Sequence, residues 1–187
     1  TLQLMINDRY QLLQLLGAGS MGQVYCAKDQ RTGQVVALKR VQVLDAIRGR
    51  SKRSAAEDDC RALAREFQLL VSLRHPHIVN VIDFGFDVGD QPFYTMEFLH
   101  NAQSIVAYGR DISLENKKEL LRQMFTAPTH LHQQDILHRD LKPENVMVVD
   151  GCVKLLDFGL SAGLTNAGYG LQGTVAYMAP ELLKGRP

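Results

Sequence analysis

The 187-residue chain has no tryptophan, and only 7% of its residues are aromatic. Its three cysteines, Cys26, Cys60 and Cys152, are far apart and odd in number. They supply neither a disulfide framework nor a CxxC pair for metal or redox chemistry, so a reducing, cytoplasmic setting is the expectation. Neither sign of charge is in surplus, since 21 Lys and Arg face 20 Asp and Glu for a formal +1. Neutralising nucleic-acid phosphates needs a basic excess, so no nucleic-acid partner is expected. No apolar run approaches the roughly 20 residues of a bilayer span, and residues 1–8 lack the charged-then-apolar order of a signal peptide; no membrane partner is expected for this segment. What is present, 45% hydrophobic and 22% charged residues, is the composition of one globular domain or part of one.

Along the chain the pattern changes twice. Tyr10 to Leu16 is Leu-rich, three glycines follow within six positions, Val24 to Ala27 resumes an extended pattern, and Arg31-Thr32-Gly33 marks a turn before the run Val35 to Val41. This reads as a small antiparallel meander. Ser54 with Glu57 fits a capping box, and Leu63, Phe67, Leu70 and Leu73 recur at helical spacing, which predicts a helix over about residues 55–73. Residues 77–83 and 93–98 read as strands separated by a loop at 87–92. Beyond Leu99 the texture is helical, with Ser113 as cap and Leu114, Leu121, Met124, Phe125 and Leu131 on one stripe. Short strands are expected at 146–149 and 153–156 around an Asp150-Gly151 hairpin turn, and 157–180 reads as a long loop.

The segment Gly17-Ala18-Gly19-Ser20-Met21-Gly22-Gln23-Val24 contains G-x-G-x-x-G. Glycine lets backbone approach phosphates closely, yet glycine triplets also serve plain turns. In a dinucleotide-binding fingerprint the glycines open a helix. Here Val24 to Lys28 alternates as a strand, so the glycines cap a hairpin, which suits a flap over phosphates; a glycine-rich hairpin without ligand is the competing reading. Lys39 shares a strand face with Val35, Ala37 and Val41, and needs an anion there. Glu66 falls on the apolar stripe of the predicted helix and needs a cation. Either each snorkels to water, or the two pair and Lys39 points at phosphates under the glycine flap.

Three further motifs decide between these readings: His138-Arg139-Asp140-Leu141-Lys142-Pro143-Glu144-Asn145, then Asp157-Phe158-Gly159, then Ala179-Pro180-Glu181. With Gly17 to Val24 and Val36-Ala37-Leu38-Lys39 upstream in the same order, the chain resembles the eukaryotic-like (Hanks-type) serine/threonine protein kinases from about Tyr10 to its last residue. The resemblance implies an α+β, two-lobe fold. Residues 8–99 would form an N-lobe of five antiparallel strands and one helix; residues 100–187 would form a truncated, mainly helical C-lobe with the catalytic loop and activation segment.

The resemblance also implies Mg2+-dependent transfer of the ATP γ-phosphoryl group to a Ser or Thr hydroxyl of a protein substrate. Asp140 would accept the hydroxyl proton and Lys142 would stabilise charge on the moving phosphoryl. Lys39, held by Glu66, would meet the phosphates beneath Gly17, Ala18, Gly19, Ser20 and Gly22. Asn145 and Asp157, both hard oxygen donors, would hold Mg2+. Val24 and Ala37 would cover the adenine, Met96 would stand behind it, and the backbone of Glu97 and Leu99 would form hinge hydrogen bonds. Leu70, Val81, Phe158 and the His138 ring resemble a stacked hydrophobic spine, which makes His138 a packing residue. Lys142 and Thr174 match the serine/threonine class. Arg139 beside Asp140 accompanies control by a phosphorylated loop, but residues 170–173 carry no hydroxyl. Thr165 is then the candidate, ahead of Ser161 and Tyr169.

Other features read as structure. The basic tract Arg48, Arg50, Lys52 and Arg53 reads as a solvated loop neutralised by Glu57, Asp58 and Asp59, with a docking or phosphate patch as the competing reading. His75, His77, His130 and His132 have no cysteine or carboxylate at ligand spacing, so zinc is not expected. Cys26 and Cys152 are small apolar fillers, and Pro128 deletes a hydrogen bond inside its helix. The family's domain continues past Ala-Pro-Glu into helices that carry the Arg partner of Glu181, whereas this sequence stops at Pro187. The expectation is a fragment of a larger kinase that alone folds poorly and phosphorylates slowly or not at all. The competing class is an ATP-binding scaffold, a pseudokinase in practice. Oligomeric state and protein substrate stay open.

Overall fold

Alternating side chains and turn residues between Met5 and Val41 produce four antiparallel strands in the computed structural model, which describes residues 4–19, 22–41, 67–68, 70–88, 91–138, 140–157, 174–178 and 180. These are β1 (Met5–Ile6), β2 (Tyr10–Gly19), β3 (Gly22–Asp29) and β4 (Val35–Val41). With β5 (Val81–Asp87) and β6 (Gln91–Glu97) they form one sheet in the order β1-β2-β3-β4-β6-β5. Packing divides the chain into two units, residues 1–73 with 80–99 and residues 74–79 with 100–187.

In unit 1 the sheet has six strands where the sequence predicts five. The addition is the two-residue β1, whose register Ile6↔Tyr10 is set by the three-residue connection 7–9, with Asn7 and Asp8 both at positive φ, 49° and 51°, and Arg9 N–H donating to the Ile6 carbonyl at 3.1 Å. Two residues are too few to show a period. Central strand β4 is covered on both faces. Val36 and Leu38 pack with Ile6, Tyr10, Ala27 and Phe93. On the other face Ala37, Lys39 and Val41 are buried, and Phe67 stacks on Phe84 at 5.1 Å and meets Tyr94 at 5.6 Å. Residues 67–68 and 70–72 are helical; the rest of the predicted helix, with Ser54, Glu57, Leu63 and Glu66, lies outside the described residues.

The strand expected at 77–83 begins only at Val81 and continues to Asp87. Residues 77–79 belong instead to unit 2. There Ile78 bridges Leu155, Val79 N–H donates to the Leu155 carbonyl at 2.9 Å, and Leu155 N–H donates to the His77 carbonyl at 2.9 Å. An apolar alternation specifies an extended chain, not the sheet it joins.

Unit 2 contains β7 (Gln103–Ser104), α1 (Ile105–Tyr108), α2 (Leu114–Gln133), β8 (Val146–Val149) and β9 (Cys152–Leu155). Its sheet runs β7-β8-β9, and its longest element is the 20-residue helix α2. Ser113 caps α2 by accepting the Asn116 N–H at 3.2 Å. The helix closes in a Schellman arrangement: Asp135 takes φ 56°, its N–H reaches the His132 carbonyl, and Ile136 N–H reaches the Leu131 carbonyl. Pro128 lies within α2 without ending it. The buried line of α2 is Leu120, Gln123, Ala127 and Leu131, which shares only Leu131 with the predicted stripe: Leu114, Leu121 and Phe125 are 70%, 48% and 62% exposed, and Met124 is half-buried. The line is set by Gln123, whose amide accepts the Val153 N–H at 2.8 Å and donates to the Gly151 carbonyl at 3.4 Å, tying α2 to the β8–β9 hairpin. That hairpin turns as predicted, with Asp150 and Gly151 at φ 49° and 77°.

Candidate active site

Unit 1 contributes the glycine hairpin. Gly17 pairs with Val24, Ala18 with Gln23 and Gly19 with Gly22; Ser20 and Met21, at its tip, lie outside the described residues. Gly22 takes φ 124°, a conformation that L side chains rarely adopt. At Gly17 and Gly19 a Cβ would meet nothing within 4 Å. No contact with the described residues demands glycine there, so the bare backbone leaves room for an external group. Register shifts leave Leu13 and Leu16 as bulges in β2. Leu16, exposed next to Gly17, is an apolar neighbour of the hairpin.

Lys39, 6% exposed, sits on β4 between Val24 of β3 and Tyr94 of β6. Ala37 and Met96 are cross-strand partners, both buried, and Met96 also faces Val81. Glu97 is fixed at the end of β6: its N–H donates to the Asn80 carbonyl at 2.9 Å, and its carboxylate accepts the Asn80 N–H at 2.9 Å. Leu99 is half-buried two residues on. Leu70 and Val81 are buried in this unit.

Unit 2 contributes a cluster around Asp140. Pro143 presets the turn Pro143–Asn145, and the Asn145 N–H closes it on the Lys142 carbonyl at 3.0 Å. Asp140, 4% exposed, receives four donors. Thr174 N–H and Oγ1 each reach Oδ1 at 2.8 Å, while Lys142 Nζ reaches Oδ2 at 2.7 Å and Asn145 Nδ2 reaches it at 3.3 Å. Lys142 Nζ also donates to Thr174 Oγ1 at 2.9 Å, closing a three-residue ring. Burial pushes the Asp140 carboxyl up, but the Lys142 ammonium and the two Thr174 donors outweigh it and hold the group below the usual carboxylate value. Asn145 Nδ2 also donates to the Asp140 carbonyl at 2.8 Å, which turns Oδ1 into the end of the amide that can take a cation. The Asn145 carbonyl accepts the Leu156 N–H at 2.8 Å, so the residue before Asp157 is tied to the same loop. An amide oxygen and a carboxylate are hard donors suited to Mg2+.

Both ring nitrogens of buried His138 are engaged, Nε2 with the Leu156 carbonyl at 2.9 Å and Nδ1 with the Asp140 N–H at 3.3 Å. Burial pushes its imidazole below the ordinary value, against the Leu156 carbonyl and the charges of Asp157 and Asp140. A neutral, doubly bonded ring has no nitrogen free for proton transfer. Glu66, Phe158, Arg139, Ser161, Thr165, Tyr169 and Glu181 lie outside the described residues, as do the basic tract and Cys60. Cys26 and Cys152 are half-buried. Among the described residues no group of three or more His, Cys, Asp or Glu is placed to hold a metal ion, and no helix is long and apolar enough to cross a membrane.

Comparison of the whole sequence with known proteins identifies the family. The chain belongs to the protein kinase domain family, which it matches over residues 10–187. It is 32% identical over 97% of its length to human NUAK family SNF1-like kinase 1, covering 27% of that protein. It is 32% identical over 96% of its length to serine/threonine-protein kinase cds1 of Schizosaccharomyces pombe, covering 39%. To a probable serine/threonine-protein kinase of Streptomyces coelicolor it is 34% identical over 96% of its length, covering 27%. The chain thus spans between about a quarter and two fifths of these relatives.

Proposed function

We propose that the chain is an ATP-dependent serine/threonine protein kinase. The observation that carries this reading is the Asp140 carboxylate, buried and ionised, with Thr174 Oγ1 donating to its Oδ1 at 2.8 Å. A hydroxyl donor on that oxygen is the arrangement an acceptor Ser or Thr needs. Phosphoryl transfer asks for positioning and charge neutralisation more than covalent help. Asp140 orients the acceptor hydroxyl; its oxygen bonds to the γ-phosphorus as the bond to the β–γ bridging oxygen breaks, the proton passes to Asp140, and ADP leaves. Lys142, already at 2.7 Å from Asp140, supplies positive charge beside the transferred group. In unit 1, Gly17, Ala18, Gly19, Ser20 and Gly22 cover phosphates, Lys39 with Glu66 binds them, Val24, Ala37 and Met96 enclose the base, and Glu97 and Leu99 bind it through their backbone.

Asn145 and Asp157 are the residues to hold Mg2+, which neutralises triphosphate charge when bound. Thr174 and Glu181 belong to the activation segment, with Thr165 as its phosphorylation candidate. Residues 8–99 and 100–187 serve as the two lobes, and a cytoplasmic setting accords with the cysteine content. Asp140→Asn tests the reading: turnover falls by at least about 10² while ATP affinity is nearly unchanged. Equal loss of binding and turnover contradicts the role of Asp140.

A further inference from the structure

Residues 74–79 leave unit 1 after Leu73 and return to it at Asn80, yet pack as part of unit 2. This strap is fastened to β9 by Val79 N–H on the Leu155 carbonyl, by Leu155 N–H on the His77 carbonyl, and by His77 Nδ1 at 3.2 Å from the Val153 carbonyl. Three imidazoles gather at its start. The His75 ring stacks on His130 of α2, with centroids 4.9 Å apart and planes 24° apart, and meets His77 edge-on at 5.6 Å. His75 Nδ1 accepts the His77 backbone N–H at 3.2 Å. An imidazole nitrogen accepts only when it carries no proton, so this turn requires neutral His75 in the Nε2–H form. A proton on Nδ1 sets donor against donor and places a cation on the His130 ring.

Among the described residues, the groups that act on His75 do not compensate such a charge. From α2 His75 meets His130, and from β9 it feels the Lys154 ammonium. Arg74, next along the strap, is exposed. The Cys152 thiol lies 3.5 Å from His77 Nδ1. Glu119 of α2 is coupled in charge to His77 and is bonded to Arg122 and Gln123. Burial, then His130, His77 and Lys154, hold the His75 imidazole below its ordinary value.

We propose that His75 is an acid-sensitive latch on the strap: neutral, it closes the 75–77 turn; protonated, it opens that turn and loosens residues 74–79 from unit 2. The sign follows from the geometry. Above about pH 6.5 the ring is neutral both in place and released, so the latch holds; below it the released form binds the proton first, and the hold weakens down to the lowered value of the ring in place.

Amide hydrogen exchange on the 187-residue chain tests this, read at Val79 and Leu155 and corrected for intrinsic rates. Between about pH 7.5 and about pH 5, protection at both amides falls by about tenfold or more in the wild type. His75→Asn keeps an acceptor for the amide two residues on but has no proton to gain, so its protection is the same at both pH values. Unchanged wild-type protection, or His75→Asn following the wild-type profile, overturns the proposal. If His75→Asn does not fold, the wild-type ring nitrogens decide by NMR. An Nε2–H tautomer whose titration coincides with the loss of Val79 protection supports the latch; an Nδ1–H tautomer or a separate midpoint refutes it.

Discussion

Asp140 carries a conflict between burial, which favours the neutral acid, and four donors, which favour the carboxylate. The donors win, and Lys142 is the charged one. Its folded value is lowered, so this carboxylate adds stability above the ordinary value and loses it as pH falls through the lowered one. Lys142→Ala removes the cation and leaves burial in place. The acid limb of the kcat/KM profile then moves to higher pH by about one unit or more; an unmoved limb shows that Lys142 does not set the ionisation of Asp140. Gly19 poses the opposite question. Because a Cβ there meets nothing within 4 Å, Gly19→Ala leaves the Tm unchanged within error while raising the KM for ATP. A lowered Tm with unchanged KM makes this glycine structural. The candidate site is legible residue by residue, since Asp140, Lys142, Asn145 and Thr174 stand in motifs; the structure joins Asp140, Lys142 and Thr174 in a ring of hydrogen bonds and ties Asn145 to Asp140. The engaged state of both His138 nitrogens was legible only as an expected packing role.

At the scale of elements, Arg9 clamps unit 1. Its Nε and Nη2 bond the Asp29 carboxylate at 3.0 and 2.9 Å, its Nη1 reaches Asp83 at 2.5 Å, and its guanidinium lies 4.6 Å from the Tyr10 ring centroid. The Arg9 hydrogen bond, against burial, holds Asp29 down at about 2. This contribution is complete above about pH 4 and is lost as pH falls through about 2. Arg9→Ala strands Asp29, buried at 3% exposure, and costs about 3 kcal/mol in urea denaturation at neutral pH. The deficit shrinks as the solution is acidified; a deficit that is the same at all pH values excludes the ion pair as its source. No sequence pattern announces this clamp, because Arg9, Asp29 and Asp83 meet only when β5 enters the sheet. The α2 stripe departs from the buried line, except at Leu131, for a related reason. Leu121 and Phe125 satisfy helical spacing as well as Leu120 and Ala127 do, and the choice of face belongs to Gln123 and the hairpin it grips. Caps and turns fared better, since Ser113 and Asp150-Gly151 act on neighbours in the chain.

At the scale of the whole molecule, the kinase motifs fall in both units, the glycine hairpin and Lys39 in unit 1 and the Asp140 cluster in unit 2. Family membership was readable because the motifs keep their order and spacing. The path of residues 74–79, which cross to unit 2 and back, was not, because their strand-like alternation holds for either sheet. The most direct measurement is transfer of the γ-phosphoryl group from labelled ATP to Ser and Thr of a generic basic protein, with and without Mg2+, by the wild type and Asp140→Asn, with ATP binding followed in parallel. The predicted result is labelling, slow for this chain by itself, that requires Mg2+ and that Asp140→Asn reduces by at least about 10² while ATP remains bound. Absence of ATP binding, or labelling indifferent to Asp140→Asn, contradicts the assignment.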